Sequence, residues 1–194
     1  MISGELGGRR LNAVKGSHTR PTADRVREAL FSILADNVVG ANVLDLFAGT
    51  GALSIEALSR GAAFALMIDN HTEPLSVIKQ NIRMCQLETR CRIIKWDIRK
   101  NLACLKSDLR FDLVFIDPPY NSGVIPIVLN HLLSTQSLSP NARIVVEHGS
   151  QESLPEAIHT LMQYDKRKYG QTVLSFYREN STRPECFPLF VVGA

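Results

Sequence analysis

The chain lacks several features that would have narrowed its class at once. No apolar run in its 194 residues is long enough to cross a bilayer, and its start has no apolar core of the signal-peptide kind. Cysteine is scarce: Cys85, Cys91, Cys104 and Cys186 form no C-x-x-C pair and have no histidine at metal-ligand spacing. Neither a disulfide framework nor a structural zinc is therefore expected. Reduced thiols in a cytoplasmic protein without membrane contact fit better, with Cys91 and Cys104 in the core. No internal repeat or low-complexity tract interrupts the sequence.

Hydrophobic residues at 45% and charged residues at 21% are ordinary for a soluble globular chain. The length suits one domain with a real core. We expect a single domain over 1–194: an N-terminal hairpin and basic arm over 1–21, a core over 22–178, and a tail over 179–194. The net charge of +3 is unevenly placed. Residues 1–30 carry Arg9, Arg10, Lys15, Arg20, Arg25 and Arg27 against Glu5, Asp24 and Glu28, whereas basic and acidic residues balance over the rest of the chain. A basic N-terminal face suits a polyanion, although a solvated arm has the same composition.

Hydrophobic periodicity predicts the elements. Residues 1–11 read as a short hairpin with glycines at its turn, and Thr22 as the N-cap of a helix carrying Val26, Ala29, Leu30, Ile33 and Leu34. Strands are then expected over 43–47, 63–69, 92–97, 111–116 and 142–147. Helices are expected over 52–60, 73–84, 124–133 and 152–162, with a short one over 99–105. Two further strands, 164–169 and 172–178, flank a tight turn at Gly170. Alternating strands and helices followed by a hairpin imply a doubly wound, mostly parallel seven-stranded sheet of Rossmann-like type with an antiparallel C-terminal edge.

Two segments carry chemistry. Asp117-Pro118-Pro119-Tyr120 follows the strand-like run 111–116 and so lies at the carboxyl edge of the sheet, where open α/β folds bind ligands. Two prolines fix φ twice and remove two N–H donors while their carbonyls remain acceptors. A carboxylate, a rigid carbonyl and an aromatic face suit a planar molecule with an exocyclic amine.

The second segment is Asp45-Leu46-Phe47-Ala48-Gly49-Thr50-Gly51, between a predicted strand and helix, with Asp69 at the end of the next strand. Gly49 and Gly51 let backbone approach a ligand, the helix start offers free N–H groups, and Asp69 suits ribose hydroxyls. A dinucleotide fingerprint would place Gly or Ala where Ser54 stands, and Asp45 would repel a pyrophosphate. A carboxylate there suits an ammonium group or an ordered water. An adenosine with an amino-acid tail and a sulfonium, S-adenosylmethionine, fits instead, with Asp97 at the end of the third strand accepting from the adenine amine. Phe47 in the glycine loop, with Asn70 and Ile98 next to Asp69 and Asp97, joins the expected cofactor set.

Taken together, these residues resemble class I S-adenosylmethionine-dependent methyltransferases that act on amino nitrogens. More narrowly, Ile2-Ser3-Gly4, Gly8-Arg9-Arg10-Leu11, the Arg20–Glu28 run and Leu44–Ala62 look like the RsmD family. The resemblance covers about residues 1–178. It implies methylation of guanine N2 in 16S ribosomal RNA, within the small subunit or its assembly intermediate, by a monomer. On this resemblance Asp45, Gly49 and Gly51 hold the methionine part of the cofactor, Asp69 the ribose and Asp97 the adenine. Asp117, Pro118, Pro119 and Tyr120 hold the target base, and Arg9, Arg10, Lys15, Arg20 and Arg25 meet RNA. Asp69 departs from the glutamate usual at that strand end, so its ribose contact is longer or water-bridged.

Two other readings stay open on residues alone. A DNA amino methyltransferase acting on adenine N6 or cytosine N4 would use the same tetrapeptide, although 194 residues leave no room for a separate target-recognition domain. A non-catalytic adenosine-binding module would use it as a rigid turn. His18, His148 and Glu147 read as surface or structural groups.

Overall fold

Residues 43–46, 65–68 and 113–116 are apolar in nearly every position, as strands buried on both faces must be. The computed structural model describes residues 1–14, 21–105 and 109–179. Its elements are α1 (Pro21–Leu34), β1 (Asn42–Asp45), α2 (Ala52–Ser59), β2 (Phe64–Asp69), α3 (Thr72–Cys85), β3 (Cys91–Lys95), β4 (Phe111–Ile116), α4 (Ile125–Ser134), β5 (Leu138–Gly149), β6 (Ala157–Ile158), β7 (Leu161–Tyr169) and β8 (Thr172–Glu179). Among the described residues they form one eight-stranded sheet in the order β3-β2-β1-β4-β5-β8-β7-β6. β1 to β5 pair in parallel, and β8, β7 and β6 continue antiparallel from β5. The expected architecture holds, with one strand more than the seven anticipated.

Alternate residues of each strand serve opposite layers. Val43, Met67, Leu113 and Phe115 face α1, α2 and α3 through Phe31, Leu30, Ile55, Leu58 and Ile78. Leu44, Leu46, Ile68, Val114 and Ile116 face the other layer, built by α4 with Ile98, Leu102 and Tyr177. The chain runs outward from β1 to β3 and returns to β4 on the opposite side of β1. The switch point therefore opens at the carboxyl ends of β1 and β4.

Several local expectations fail for identifiable reasons. No helix forms over 152–162: Pro155 offers no N–H and disfavours a helical conformation at Leu154. Its carbonyl instead accepts from Tyr177 Oη at 2.8 Å. Ala157–Ile158 becomes the extra strand β6, joined to β7 by a tight turn with His159 at φ 51. No helix forms over 99–105 either. Asn101 Oδ1 accepts from the Ala103 N–H at 3.0 Å, a local turn bond that competes with helical pairing. Helix α1 begins at Pro21, so Thr22 lies in its first turn rather than capping it. Of the cysteines, Cys85 is the buried one, while Cys91 and Cys104 pack at the core edges. Cys186 lies outside the described residues.

The N-terminal segment closes on itself, with Gly8 N–H donating to Met1 O at 3.0 Å, but a 3-10 turn at Gly4–Leu6 replaces the expected hairpin strands. Helix α2 holds this segment. The buried Glu56 carboxylate accepts from Ile2 N–H at 2.8 Å, Ser3 N–H at 3.0 Å and Arg60 Nε at 2.8 Å. Ser59 Oγ accepts from Leu6 N–H at 2.9 Å and donates to Ser3 O at 2.6 Å. The approach is close enough to require glycine: at Gly4, with φ +76, a Cβ would overlap the Ser59 carbonyl.

Candidate active site

The loop after β1 turns into α2 at Gly51, whose φ of +78 is left-handed and whose added Cβ would lie 3.3 Å from Met67 Sδ. Only glycine fits there without displacing the core. Gly49 N–H donates to Asp69 Oδ2 at 3.0 Å, and His71 N–H donates to Asp69 Oδ1 at 2.9 Å. Two carboxylate lone pairs are thus spent on backbone, and the others remain for a ligand. Asn81 adds a second brace. Its Nδ2 donates to Thr50 O at 2.9 Å and to Asn12 O at 3.1 Å, while its Oδ1 accepts from Asn12 N–H at 2.8 Å. The glycine loop and the N-terminal segment are tied through one buried side chain.

A cleft of about 540 Å³ opens beside this loop. Phe47, Gly49, Asp69, Asn70, Asp97 and Ile98 line it, as does the whole of Asp117–Tyr120. Six of the eight expected cofactor residues therefore share one cavity with the tetrapeptide. Gly51 lies behind the loop. Asp45 lines no described cleft: it is buried, with Oδ2 accepting from Ser54 Oγ at 2.8 Å and Oδ1 without a partner. Burial pushes its carboxyl up to about 7, against the Ser54 bond. An unmatched buried oxygen of this kind suits a cation or an N–H donor. Trp96, His71 and Arg99 also line the cleft and were not anticipated. Arg99 Nε lies 3.3 Å from Asp97 Oδ1. Desolvation raises the Asp97 carboxyl, but the Arg99 hydrogen bonds and the Arg99 and Lys100 charges together outweigh it and hold the group below the ordinary range.

A second cleft, about 470 Å³, lies on the side of the N-terminal segment and α1. Arg9, Arg10 and Arg27 line it together with Thr50. Arg9 Nη1 also donates to Met84 O at 2.8 Å. Arg25 is exposed on α1 and lines neither cleft, whereas Arg27, two residues on and on the other face of the helix, reaches the cavity beside Asp24. Lys15, Arg20 and His18 lie outside the described residues.

The two clefts meet at Asp117 and Glu147, which line both. Ile116 pairs with Val146 in the parallel ladder, so the next residue of each strand stands at the same edge. Burial raises the Asp117 carboxyl well above its ordinary range, and the charges of Glu147 and then Asp45 raise it further. Burial likewise raises Glu147. Tyr120 Oη donates to Glu147 Oε1 at 3.1 Å and is hydrogen-bonded to Thr172 Oγ1 at 2.9 Å. Desolvation and the neighbouring carboxylates push the phenol up to about 12. The ring lies along Gly149 and remains 43% exposed, which leaves an aromatic surface available for stacking. His148 is structural, with Nε2 2.9 Å from Ser175 Oγ in the core. Glu147, expected to be structural, belongs to the junction. Its position at a strand's carboxyl edge beside Asp117 was the available signal.

A family described as Conserved hypothetical protein 95 matches residues 1–178. Ribosomal RNA small subunit methyltransferase D of Escherichia coli (strain K12) is 32% identical over 181 residues, 93% of this chain and 90% of that protein. The chain belongs to the RsmD family. A candidate rRNA methyltransferase of Bacillus subtilis (strain 168), YlbH, is 35% identical over 180 residues, 92% of this chain and 98% of its own length. Among solved structures, a candidate methyltransferase from Escherichia coli, yhhF, superposes with a TM-score of 0.82 at 33% identity, covering 93% of this chain and 97% of that one. The RsmD resemblance noted from the N-terminal motifs and the glycine loop thus extends over the whole described fold. Among the described residues, no helix is long and apolar enough to cross a membrane.

Proposed function

We propose that this chain transfers a methyl group from S-adenosylmethionine to the N2 amine of a guanine in 16S ribosomal RNA, acting as a cytoplasmic, single-domain monomer on the small subunit or its assembly intermediate. One observation carries the reading: Asp117, at the head of Asp117-Pro118-Pro119-Tyr120, stands where a cleft lined by acids and backbone meets a cleft lined by arginines.

The first cleft suits the cofactor. The Gly49–Gly51 loop leaves room for backbone approach, Asp69 keeps free lone pairs for ribose hydroxyls, and Asp97 offers an acceptor for an adenine amine. Asp45, with its orphaned buried oxygen, offers an acceptor beneath the loop for the ammonium end. The bound cofactor supplies an already activated methyl group, so the residues of this chain mainly align the acceptor.

Asp117 and the Pro118 carbonyl accept the two amine hydrogens and direct the nitrogen lone pair toward the cofactor cleft. Tyr120 stacks on the base, which is unpaired or turned out of its stack. Positioning of this sort lowers barriers by several kcal/mol, about 7–11 at best. Acceptors aimed at the nitrogen also stabilise positive charge developing there. The proton departs after transfer, so no dedicated base is needed. Arg9, Arg10 and Arg27 meet the phosphate backbone, with Lys15, Arg20 and Arg25 extending that basic face.

The test is direct. Labelled S-adenosylmethionine is incubated with the protein and, separately, with naked 16S rRNA, unmodified small subunits and duplex DNA, and product nucleosides are identified by mass spectrometry. N2-methylguanosine in rRNA is expected. Label in DNA alone, as N6-methyladenine or N4-methylcytosine, would sink the proposal.

A further inference from the structure

Glu147 is the group at the junction to which the reading above gives no task. Its carboxylate stands beside Asp117 at the sheet edge and faces both clefts. It is also held in place: the Tyr120 hydroxyl donates to Oε1 and is itself tied to Thr172 across the β5–β8 pairing. That donation marks Oε1 as an acceptor. Among the described residues, Oε2 has no hydrogen-bond partner. A fixed carboxylate with one open oxygen, next to a second carboxylate, is poised for a ligand edge that presents several N–H donors in a row.

The three bases with exocyclic amines differ in that respect. Beside its N2 amine, guanine carries a ring N1–H donor. Beside their amines, adenine carries a lone pair at N1 and cytosine a lone pair at N3. We propose that Glu147 selects the base by accepting the guanine N1–H while Asp117 holds the adjacent N2 amine; the inference rests on the guanine-N2 reading above. With adenine or cytosine, a ring lone pair would face the carboxylate, leaving a part-buried charge unmatched. Asp117-Pro118-Pro119-Tyr120 fits any planar amine, so discrimination needs a second group at this edge, and Glu147 is placed to supply it. Tyr120 then has two tasks, stacking with its ring and positioning Glu147 with its hydroxyl.

The experiment compares guanine with 2-aminopurine, which keeps the N2 amine but has a lone pair at N1, placed at the modified position of the RNA after that position is mapped. Relative kcat/KM for the two bases is measured for the wild type, Glu147→Gln and Glu147→Asp, with cofactor Kd by calorimetry. The wild type should prefer guanine by roughly 10- to 100-fold, the worth of one hydrogen bond to a charged group. Glu147→Gln, whose amide offers either an acceptor or a donor, should bind cofactor normally and largely lose the preference. Glu147→Asp should keep the preference at a lower rate. Because the readout is a ratio within one preparation, a partly unfolded variant does not distort it. N2-methylguanosine from the wild type with an unchanged ratio in Glu147→Gln overturns this inference alone. So does a Glu147→Gln protein that binds cofactor yet methylates neither base, since Glu147 would then belong to the chemistry. Methyl on adenine or cytosine from the wild type overturns both readings.

Discussion

The Gly49 N–H donates to Asp69 Oδ2 at 3.0 Å, which makes the glycine loop and the end of β2 one structural unit. The acid expected to meet the ribose also fixes the loop expected to cradle the methionine tail. Asp69→Ala should therefore weaken S-adenosylmethionine binding by more than the loss of one ligand contact. A hydrogen bond to a charged group is worth about 1.5–3 kcal/mol, so a rise in Kd of at least tenfold is expected by calorimetry. Turnover at saturating cofactor should change little. An unchanged Kd would remove Asp69 from the cofactor site.

Asp117 makes the opposite prediction. Asp117→Ala removes an acceptor at the junction and leaves the Gly49–Asp69 hydrogen bond in place. Methyl transfer should fall by on the order of 10²–10³ or more, the scale seen when one preorganised electrostatic group is deleted. Cofactor affinity should stay close to wild type. Equal losses of affinity and turnover in both the Asp69 and Asp117 variants would defeat this division of roles.

Glu56 is the anchor of the N-terminal segment. Its buried carboxylate meets two backbone N–H groups and Arg60, whose guanidinium also lies 4.9 Å from the Phe31 ring centroid. Glu56→Ala should cost on the order of 3 kcal/mol in urea unfolding, the scale of breaking a buried charge pair. Amide exchange at residues 2–12 should accelerate, and RNA affinity should fall because Arg9 and Arg10 lose their fixed position. Unaltered exchange in that segment would show the anchor to be elsewhere.

The buried Asp45 gives stability a pH dependence. Its carboxyl is raised from 3.8 to about 7 in the fold, so between those values the unfolded chain releases a proton that the folded chain keeps. The folded state binds more protons there, and stability must fall as pH rises through that window, then level off. The displacement corresponds to on the order of 4 kcal/mol at full extent. Asp45→Asn, which preserves an acceptor for Ser54, should lose less stability than wild type between pH 4 and pH 7. Parallel urea-midpoint curves for the two proteins would contradict the assignment.

The sequence by itself determined the alternation of strands and helices, the glycine loop and the tetrapeptide, because each rests on local periodicity or on backbone needs that only Gly and Pro meet. Asp69, Asp97 and Asp117 could all be assigned to one sheet edge, since each closes a predicted parallel strand. Local pattern misled where a side chain or proline competed with it. Pro155 turned an amphipathic run into β6, and Asn101 diverted 99–105 into turns. Only the tertiary structure decided what stands beside what. Glu147 resembled any strand-end acid until the Ile116–Val146 register set it next to Asp117. Arg27 replaced Arg25 at the cleft through the rotational setting of α1, and Asn81 joined Asn12 to Thr50 across 69 and 31 residues of chain. Register, helix rotation and long-range hydrogen bonds arise from packing between distant segments, which is why the residues lining the clefts were legible in the sequence and their juxtaposition was not.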